Sequence, residues 1–114
     1  DLAAEEVDFA SIGSNDLTQY LSAADRMNPE VAAYYKSDST AMLRLLGFVF
    51  REFSKREKEI SVCGEMAGNP ETAQLLVGLG ARKLSMSSGN IAGVKAKLAE
   101  CTLQELTALA EKKL

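Results

Sequence analysis

Three short stretches of the chain have the apolar and small-residue pattern of β-strands, and a polar or glycine-containing turn follows each of them. They cover residues 7–12, 60–63 and 83–86. Alternation of apolar with small or polar positions over so few residues favours an extended strand over a helix. Gly13 and Gly64 stand directly after the first two of these strands, where glycine is typical of a turn.

Segments with helical periodicity lie between and after these strands. In the clearest one, apolar residues recur every three or four positions, namely Met42, Leu45, Leu46, Val49, Phe50 and Phe53. This spacing places them on one face of a helix that we predict to end within residues 54–57. Helical periodicity or helix-capping signals also predict helices at residues 17–24, 28–35, 70–79, 91–98 and 103–114.

The predicted elements alternate in the order strand, helix, strand, helix, strand, helix. Such alternation is typical of a parallel sheet whose strands are joined by right-handed helical crossovers. We therefore predict an α/β fold with three β/α units and parallel strands. In folds of this class the functional residues collect at the carboxyl ends of the strands.

Composition narrows the classes of protein that the chain can belong to. Of its 114 residues, 46% are hydrophobic and 25% are charged, which is typical of a folded globular domain. The net charge of -3, without a basic cluster, argues against nucleic acid as a partner. The longest apolar run, residues 43–50, is interrupted by Arg44, so we expect no membrane span.

Cysteine and histidine usage adds two expectations. Cys63 and Cys101 are too few for a disulfide framework, which favours a reducing, cytoplasmic location. The chain has no histidine, so it supplies neither a catalytic imidazole nor a phosphohistidine.

Residues 1–6 have the pattern of the end of a helix, which leads us to expect further chain upstream.

Five polar side chains stand where the predicted strands end or shortly after, and they form the candidate site. They are Asn15, Asp16, Arg26, Cys63 and Glu65. An amide, two carboxylates, a guanidinium and a thiol at one mouth of a sheet can bind a metal and a phosphate and can move a proton. Simpler interpretations stay open at this point: a turn with a helix cap, a small buried thiol and solvated charges.

Two segments resemble sequence signatures of the phosphoenolpyruvate-utilising enzymes. Residues 11–20 read SIGSNDLTQY, and Asp25 and Arg26 follow; residues 62–70 read VCGEMAGNP. The second segment is most similar to the phosphoenolpyruvate-protein phosphotransferase branch. Pyruvate phosphate dikinases usually have His where Met66 stands, and phosphoenolpyruvate synthases usually have Gln where Glu65 stands; both remain alternatives. The resemblance runs from about residue 7 to residue 109.

The resemblance implies a fold and a function for the whole chain. Residues 1–114 would be the C-terminal segment of a phosphoenolpyruvate-binding domain, the last three units of an eight-stranded (β/α)8 TIM-type barrel. A complete barrel needs about 250 residues. The parent enzyme would transfer the phosphoryl group of phosphoenolpyruvate to a protein histidine and release pyruvate, in sugar uptake. Its further partners would be an upstream histidine domain and a phosphocarrier protein.

The resemblance also implies a role for each candidate residue. Asn15 and Arg26 match positions that bind the substrate's phosphate, and Asp16 matches a substrate-site position that ligates Mg2+. Cys63 matches the proton donor to the methylene carbon of the enolate that remains after phosphoryl transfer. Glu65 matches a polar position beside it, in a second layer behind the site, and is given no firm role.

A non-catalytic alternative comes from the strand count. Three strands cut from a barrel have two open edges and uncovered apolar faces, which drive association. The apolar strand residues are Phe9, Ile12, Ile60, Val62, Leu84 and Met86. We therefore expect the isolated chain to be inactive and homo-oligomeric, with a dimer as the simplest closed form. In this alternative the chain is an oligomeric structural or interaction module.

Overall fold

A parallel three-stranded sheet forms the centre of the structure, a computed structural model that describes all residues from 1 to 114. The strands lie side by side in chain order as β1 (Phe9–Gly13), β2 (Glu59–Cys63) and β3 (Lys83–Leu84). Gly13 pairs with Cys63, and Val62 pairs with Leu84. The predicted α/β class and the parallel strands are confirmed, and the carboxyl ends of the strands meet at one edge.

Seven helices surround the sheet and connect its strands. They are α1 (Leu2–Glu6), α2 (Ser14–Ser22), α3 (Thr40–Lys55), α4 (Glu65–Gly68), α5 (Pro70–Leu79), α6 (Ser88–Ala99) and α7 (Leu103–Glu111). α5 is the hub of the helical layer, because it contacts α3, α4, α6 and α7. None of the helices is both long enough and apolar enough to cross a membrane.

The core lies where the sheet packs against α3, α4 and α5. Its buried residues are Met42, Leu43, Leu46, Phe50, Val62, Met66, Ala67, Leu75, Leu76 and Ala81. The predicted inner face of α3 was nearly right, but Leu45 and Val49 are only half-buried, and Leu43 is fully buried. The buried stripe is displaced because α3 also packs on α5, where Leu79 comes close to Gly47.

Two predicted elements are shorter than the sequence pattern indicated. The predicted helix at residues 28–35 is wrong, since only Ala32–Tyr34 form a single 3-10 turn. Asn28 accepts a hydrogen bond from the Glu30 N–H, which closes a local turn instead of capping a helix. The third strand is paired over two residues rather than four, although Ser85 N–H still donates to the Val62 carbonyl at 2.8 Å.

Helix α1, which follows Asp1, is tied to the body of the chain. Asp1 caps α1, and Glu5 pairs with Arg56 at 2.8 Å. Arg56 also binds Glu52, and hydrogen bonds from Lys55 and Arg56 lower the pKa of Glu52 to about 2. This charged cluster holds α1 against the end of α3.

The two outer strands have one neighbour each, so both edges of the sheet are open. β1 pairs only with β2, and β3 pairs only with β2. Phe9 on β1 is 70% exposed, which leaves a large apolar side chain beside an open edge. Self-association of the chain stays a prediction.

Candidate active site

The turns after β1 and β2 lie next to each other because Gly13 and Cys63 are paired at the ends of these strands. β1 continues into α2 without a loop, so Asn15 and Asp16 are in the first helical turn. β2 passes through Gly64 into α4, which begins at Glu65. Three of the five predicted site residues therefore stand on helix starts at the carboxyl edge of the sheet.

Asn15 is held at both its side chain and its main chain. Its Oδ1 accepts a hydrogen bond from the Glu65 N–H at 3.2 Å, across the junction between the two turns. The Tyr35 hydroxyl donates to the Asn15 carbonyl oxygen at 3.2 Å. Asn15 is half-buried, and its Nδ2 donates to no group of the chain. The side chain is thus fixed while two N–H bonds remain free for a ligand.

Cys63 ends β2 as a half-buried free thiol. Its Sγ donates to the Ile12 carbonyl oxygen of β1 at 3.5 Å. Cys63 stands on the strand beside the one that leads to Asn15. A thiol that can donate a proton and a fixed amide that can bind an anion therefore stand at the ends of two paired strands.

Arg26 follows α2 and reaches the same edge from outside. Its main-chain N–H donates to Gln19 Oε1 at 3.1 Å, while its exposed guanidinium has no ion pair. Arg26 lines an open cleft of about 440 Å³ together with Met27, Tyr35 and Glu65. An unpaired guanidinium in a cleft is free to bind an oxyanion in a bidentate manner.

A second polar cleft adjoins the first, and Glu65 lines both. This cleft has a volume of about 290 Å³ and is lined by Asn15, Gly64, Glu65, Gly68, Ser85, Met86, Ser87 and Asn90. It is formed where the turns after β2 and β3 meet the start of α6. The structure thus joins Asn15 and Glu65 directly and brings Arg26 to the adjoining cleft. Cys63 stands at the end of the neighbouring strand, outside the lining of both clefts.

Asp16 is the one candidate metal ligand, and it does not belong to a cluster of side chains that could bind a metal ion. Its carboxylate is exposed and folds back towards Gly13, with Oδ2 3.9 Å from the point where a Cβ at that residue would lie. No group of three or more His, Cys, Asp or Glu side chains could hold a metal ion. Mg2+ commonly binds one or two carboxylates together with waters and substrate phosphate. Asp16 fits one position of such a site, and the chain does not complete it.

Ser14 places an unpaired hydroxyl in the interior directly below the site. It is fully buried, and its Oγ has no hydrogen-bond partner. We expect Ser14→Ala to raise the free energy of unfolding by about 1 kcal/mol, because a buried unpaired hydroxyl costs about that much. Urea unfolding of the two proteins measures the difference.

The matched control for this prediction is Thr18, whose buried hydroxyl donates to the Ser14 carbonyl oxygen at 2.7 Å. Thr18→Val removes a paired hydroxyl at nearly constant volume and is expected to lower the free energy of unfolding by about 1 kcal/mol. A loss of stability in Ser14→Ala as well would mean that its hydroxyl has a partner after all.

Tyr35 and Gly64 belong to the site, but sequence reasoning gave neither of them a role in it. The tyrosine pair at positions 34 and 35 fits ordinary helix packing, and only the fold brings the Tyr35 hydroxyl to Asn15. Gly64 was predicted only as a turn residue. The only sequence signal was the glycine itself at the end of a predicted strand. In the structure its φ of 96° and ψ of -171° lie in a region that is essentially limited to glycine.

Comparison with known proteins shows the family to which the chain is similar. The family model described as "PEP-utilising enzyme, PEP-binding domain" matches residues 1–103. The chain is 46% identical over its whole length to "Multiphosphoryl transfer protein" of Xanthomonas campestris and 42% identical over 98% of its length to "Phosphoenolpyruvate-protein phosphotransferase" of Bacillus subtilis. It is 43% identical over 97% of its length to "Phosphoenolpyruvate-dependent phosphotransferase system" of Salmonella typhimurium. The chain spans 14%, 20% and 15% of these relatives, respectively.

Proposed function

The chain belongs to the family of phosphoenolpyruvate-utilising enzymes, and we propose that it forms the substrate-binding part of a phosphoenolpyruvate-protein phosphotransferase. One observation carries the proposal: the Asn15 amide is fixed across two neighbouring turns, and the Cys63 thiol ends the strand beside it. The N–H groups of the amide can donate hydrogen bonds to phosphate oxygens, and the thiol can donate a proton to a carbon atom. The names of the relatives favour a phosphotransferase over a dikinase or a synthase.

Binding of phosphoenolpyruvate would rest on Asn15 and Arg26. The free Nδ2 of Asn15 would donate to a phosphate oxygen, and the unpaired guanidinium of Arg26 would bind two more. The start of α2 adds the positive end of a helix dipole, which favours an anion at this edge. Asp16 would supply one carboxylate to Mg2+, which when bound neutralises charge on the phosphate.

The chemical step would divide between another part of the protein and Cys63. A histidine outside this chain attacks the phosphorus, and the bond between phosphorus and the enol oxygen breaks. The electron pair stays on that oxygen and gives the enolate of pyruvate. Cys63 gives up its hydrogen bond to the Ile12 carbonyl and transfers its proton to the methylene carbon, which becomes the methyl group of pyruvate. Solvent returns a proton to the thiolate.

The remainder of the protein follows from the same proposal. The open edges of β1 and β3 would be joined by further strands of a (β/α)8 barrel. Two further parts would complete the transfer. One is a domain with the phosphorylated histidine, and the other is a phosphocarrier protein that takes the phosphoryl group from that histidine. The alternative is a homo-oligomeric, non-catalytic module, because the open strand edges and the exposed Phe9 favour association.

A hybrid protein tests the proposal with this chain's own residues. The chain replaces the 112 matched residues of the Bacillus subtilis phosphotransferase, to which it is 42% identical. With radiolabelled phosphoenolpyruvate and Mg2+, we expect the hybrid to become labelled and to release pyruvate. The isolated chain should stay unlabelled, because it contains no histidine. A folded hybrid that neither becomes labelled nor releases pyruvate would contradict the proposal and favour the non-catalytic module.

A further inference from the structure

The direction in which the Asn15 amide faces is set by the turn between β2 and α4. A backbone N–H can only donate, so the Glu65 N–H must face the amide's oxygen and not its nitrogen. The NH2 group then occupies the other branch of the same planar group. Because Asn15 lines the polar cleft and its Nδ2 has no partner in the chain, the free donors belong to that cleft.

The contact between Asn15 and this turn depends on the absence of a side chain at Gly64. A Cβ there would lie 2.5 Å from Ser14 Oγ and 3.2 Å from Asn15 Oδ1. Real Cβ atoms do not approach other atoms as closely as the first of these distances. Ser14 is fully buried and cannot move aside without disturbing the start of α2. The backbone at Gly64, with φ of 96°, also excludes other residues.

We infer that Gly64 is a positioning residue, which lets Asn15 dock on the Glu65 N–H so that the NH2 group presents hydrogen-bond donors to an oxygen-bearing anion. Tyr35 completes the arrangement by holding the Asn15 carbonyl. A donor that is fixed before the ligand arrives favours phosphate or carboxylate oxygens and loses no side-chain freedom on binding. That the anion is phosphoenolpyruvate rests on the proposed function.

Two substitutions at Asn15 separate docking from ligand binding. Asn15→Asp keeps an oxygen for the Glu65 N–H but replaces the NH2 group by a negatively charged oxygen. Asn15→Leu has a similar volume and removes both interactions. Gly64→Ala leaves Asn15 intact and displaces it, and Gly89→Ala is its control, because a Cβ at Gly89 would have no neighbour within 4 Å.

Nuclear magnetic resonance of the labelled 114-residue chain reads both effects. Exchange of the Glu65 amide hydrogen reports docking, and titration with phosphoenolpyruvate, observed by phosphorus resonance, reports binding. We expect the Glu65 amide to exchange slowly in the wild type, Asn15→Asp and Gly89→Ala, and about 10-fold faster in Asn15→Leu and Gly64→Ala. Phosphoenolpyruvate should bind at least about 10-fold more weakly to Asn15→Asp than to the wild type.

Equal protection of the Glu65 amide in Asn15→Leu would overturn the inference, and so would unchanged binding by Asn15→Asp. If Gly64→Ala does not fold, Asn15→Leu and Asn15→Asp still test whether Asn15 docks on the Glu65 N–H and binds the anion. A wild-type chain with a protected Glu65 amide that binds inorganic phosphate but not phosphoenolpyruvate would overturn the proposed function and support the positioning role of Gly64.

Discussion

Cys63→Ser in the hybrid protein is expected to slow pyruvate formation by about 100-fold or more and to leave the KM for phosphoenolpyruvate nearly unchanged. Proton donation belongs to the chemical step, so its loss lowers kcat. In the proposed function, binding would rest on Asn15 and Arg26, which the substitution does not touch. A serine hydroxyl can form the same hydrogen bond to the Ile12 carbonyl, so the strand end should keep its shape. Steady-state assay of pyruvate release gives both constants.

Cys101 provides the matched control, because it is the other free thiol of the chain. It stands between α6 and α7, where Gln74 Nε2 donates to its Sγ at 3.5 Å. Cys101→Ser should leave both kcat and KM of the hybrid unchanged. Equal turnover in Cys63→Ser and the parent hybrid would remove Cys63 from the mechanism, and a rise in KM alone would make it a binding residue.

Gly78→Ala is expected to destabilise the 114-residue chain by at least about 2 kcal/mol. Gly78 stands on α5, where α7 packs against it. An added Cβ would collide with the Leu106 carbonyl oxygen and would lie 2.9 Å from Ala110 Cβ. The nearest obstacle is backbone, which cannot rotate away as a side chain can. The two helices would have to separate, and their contact is the most extensive one between elements of the chain.

Gly89→Ala again serves as the control, now for the intrinsic effect of alanine in a helix. Gly89 is also in a helix, α6, and its added Cβ would meet nothing within 4 Å. We expect this variant to be unchanged or stabilised by about 0.5 kcal/mol. Urea unfolding compares the two variants with the wild type. Equal stability of Gly78→Ala and Gly89→Ala would show that α7 does not pack on α5 in this way.

Local sequence pattern was sufficient to predict the sheet and most of the helices. Alternating residues located β1 and β2, and the cap formed by Asn69 and Pro70 located the start of α5. Gly13, predicted as a turn residue, is instead the last residue of β1 and pairs with Cys63, because α2 follows without a loop. Strands that alternate with helices must run parallel, so the carboxyl ends of β1 and β2 were expected at one edge. For this reason the turns that carry Asn15 and Glu65 could be predicted to lie next to each other, as the hydrogen bond between them shows.

The parts that the sequence did not predict depend on contacts between distant segments. Asn28 and Pro29 carry a helix-start pattern, but an Asx turn and a single 3-10 turn form there instead. The Tyr35 hydroxyl reaches a carbonyl 20 residues earlier in the chain. Gly64 matters because of the atoms that approach it, and neither composition nor periodicity contains that information.

The central claim is that Asn15, Arg26 and Cys63 converge on one molecule of phosphoenolpyruvate. A crystal structure of the Cys63→Ser hybrid with phosphoenolpyruvate tests it most directly, since this form should bind the substrate and turn it over slowly. We predict phosphate oxygens about 2.7–3.1 Å from Asn15 Nδ2 and from the Arg26 guanidinium, with the methylene carbon facing residue 63. A ligand bound away from the junction of Asn15 with Glu65, or one whose methylene carbon faces away from residue 63, would contradict the account.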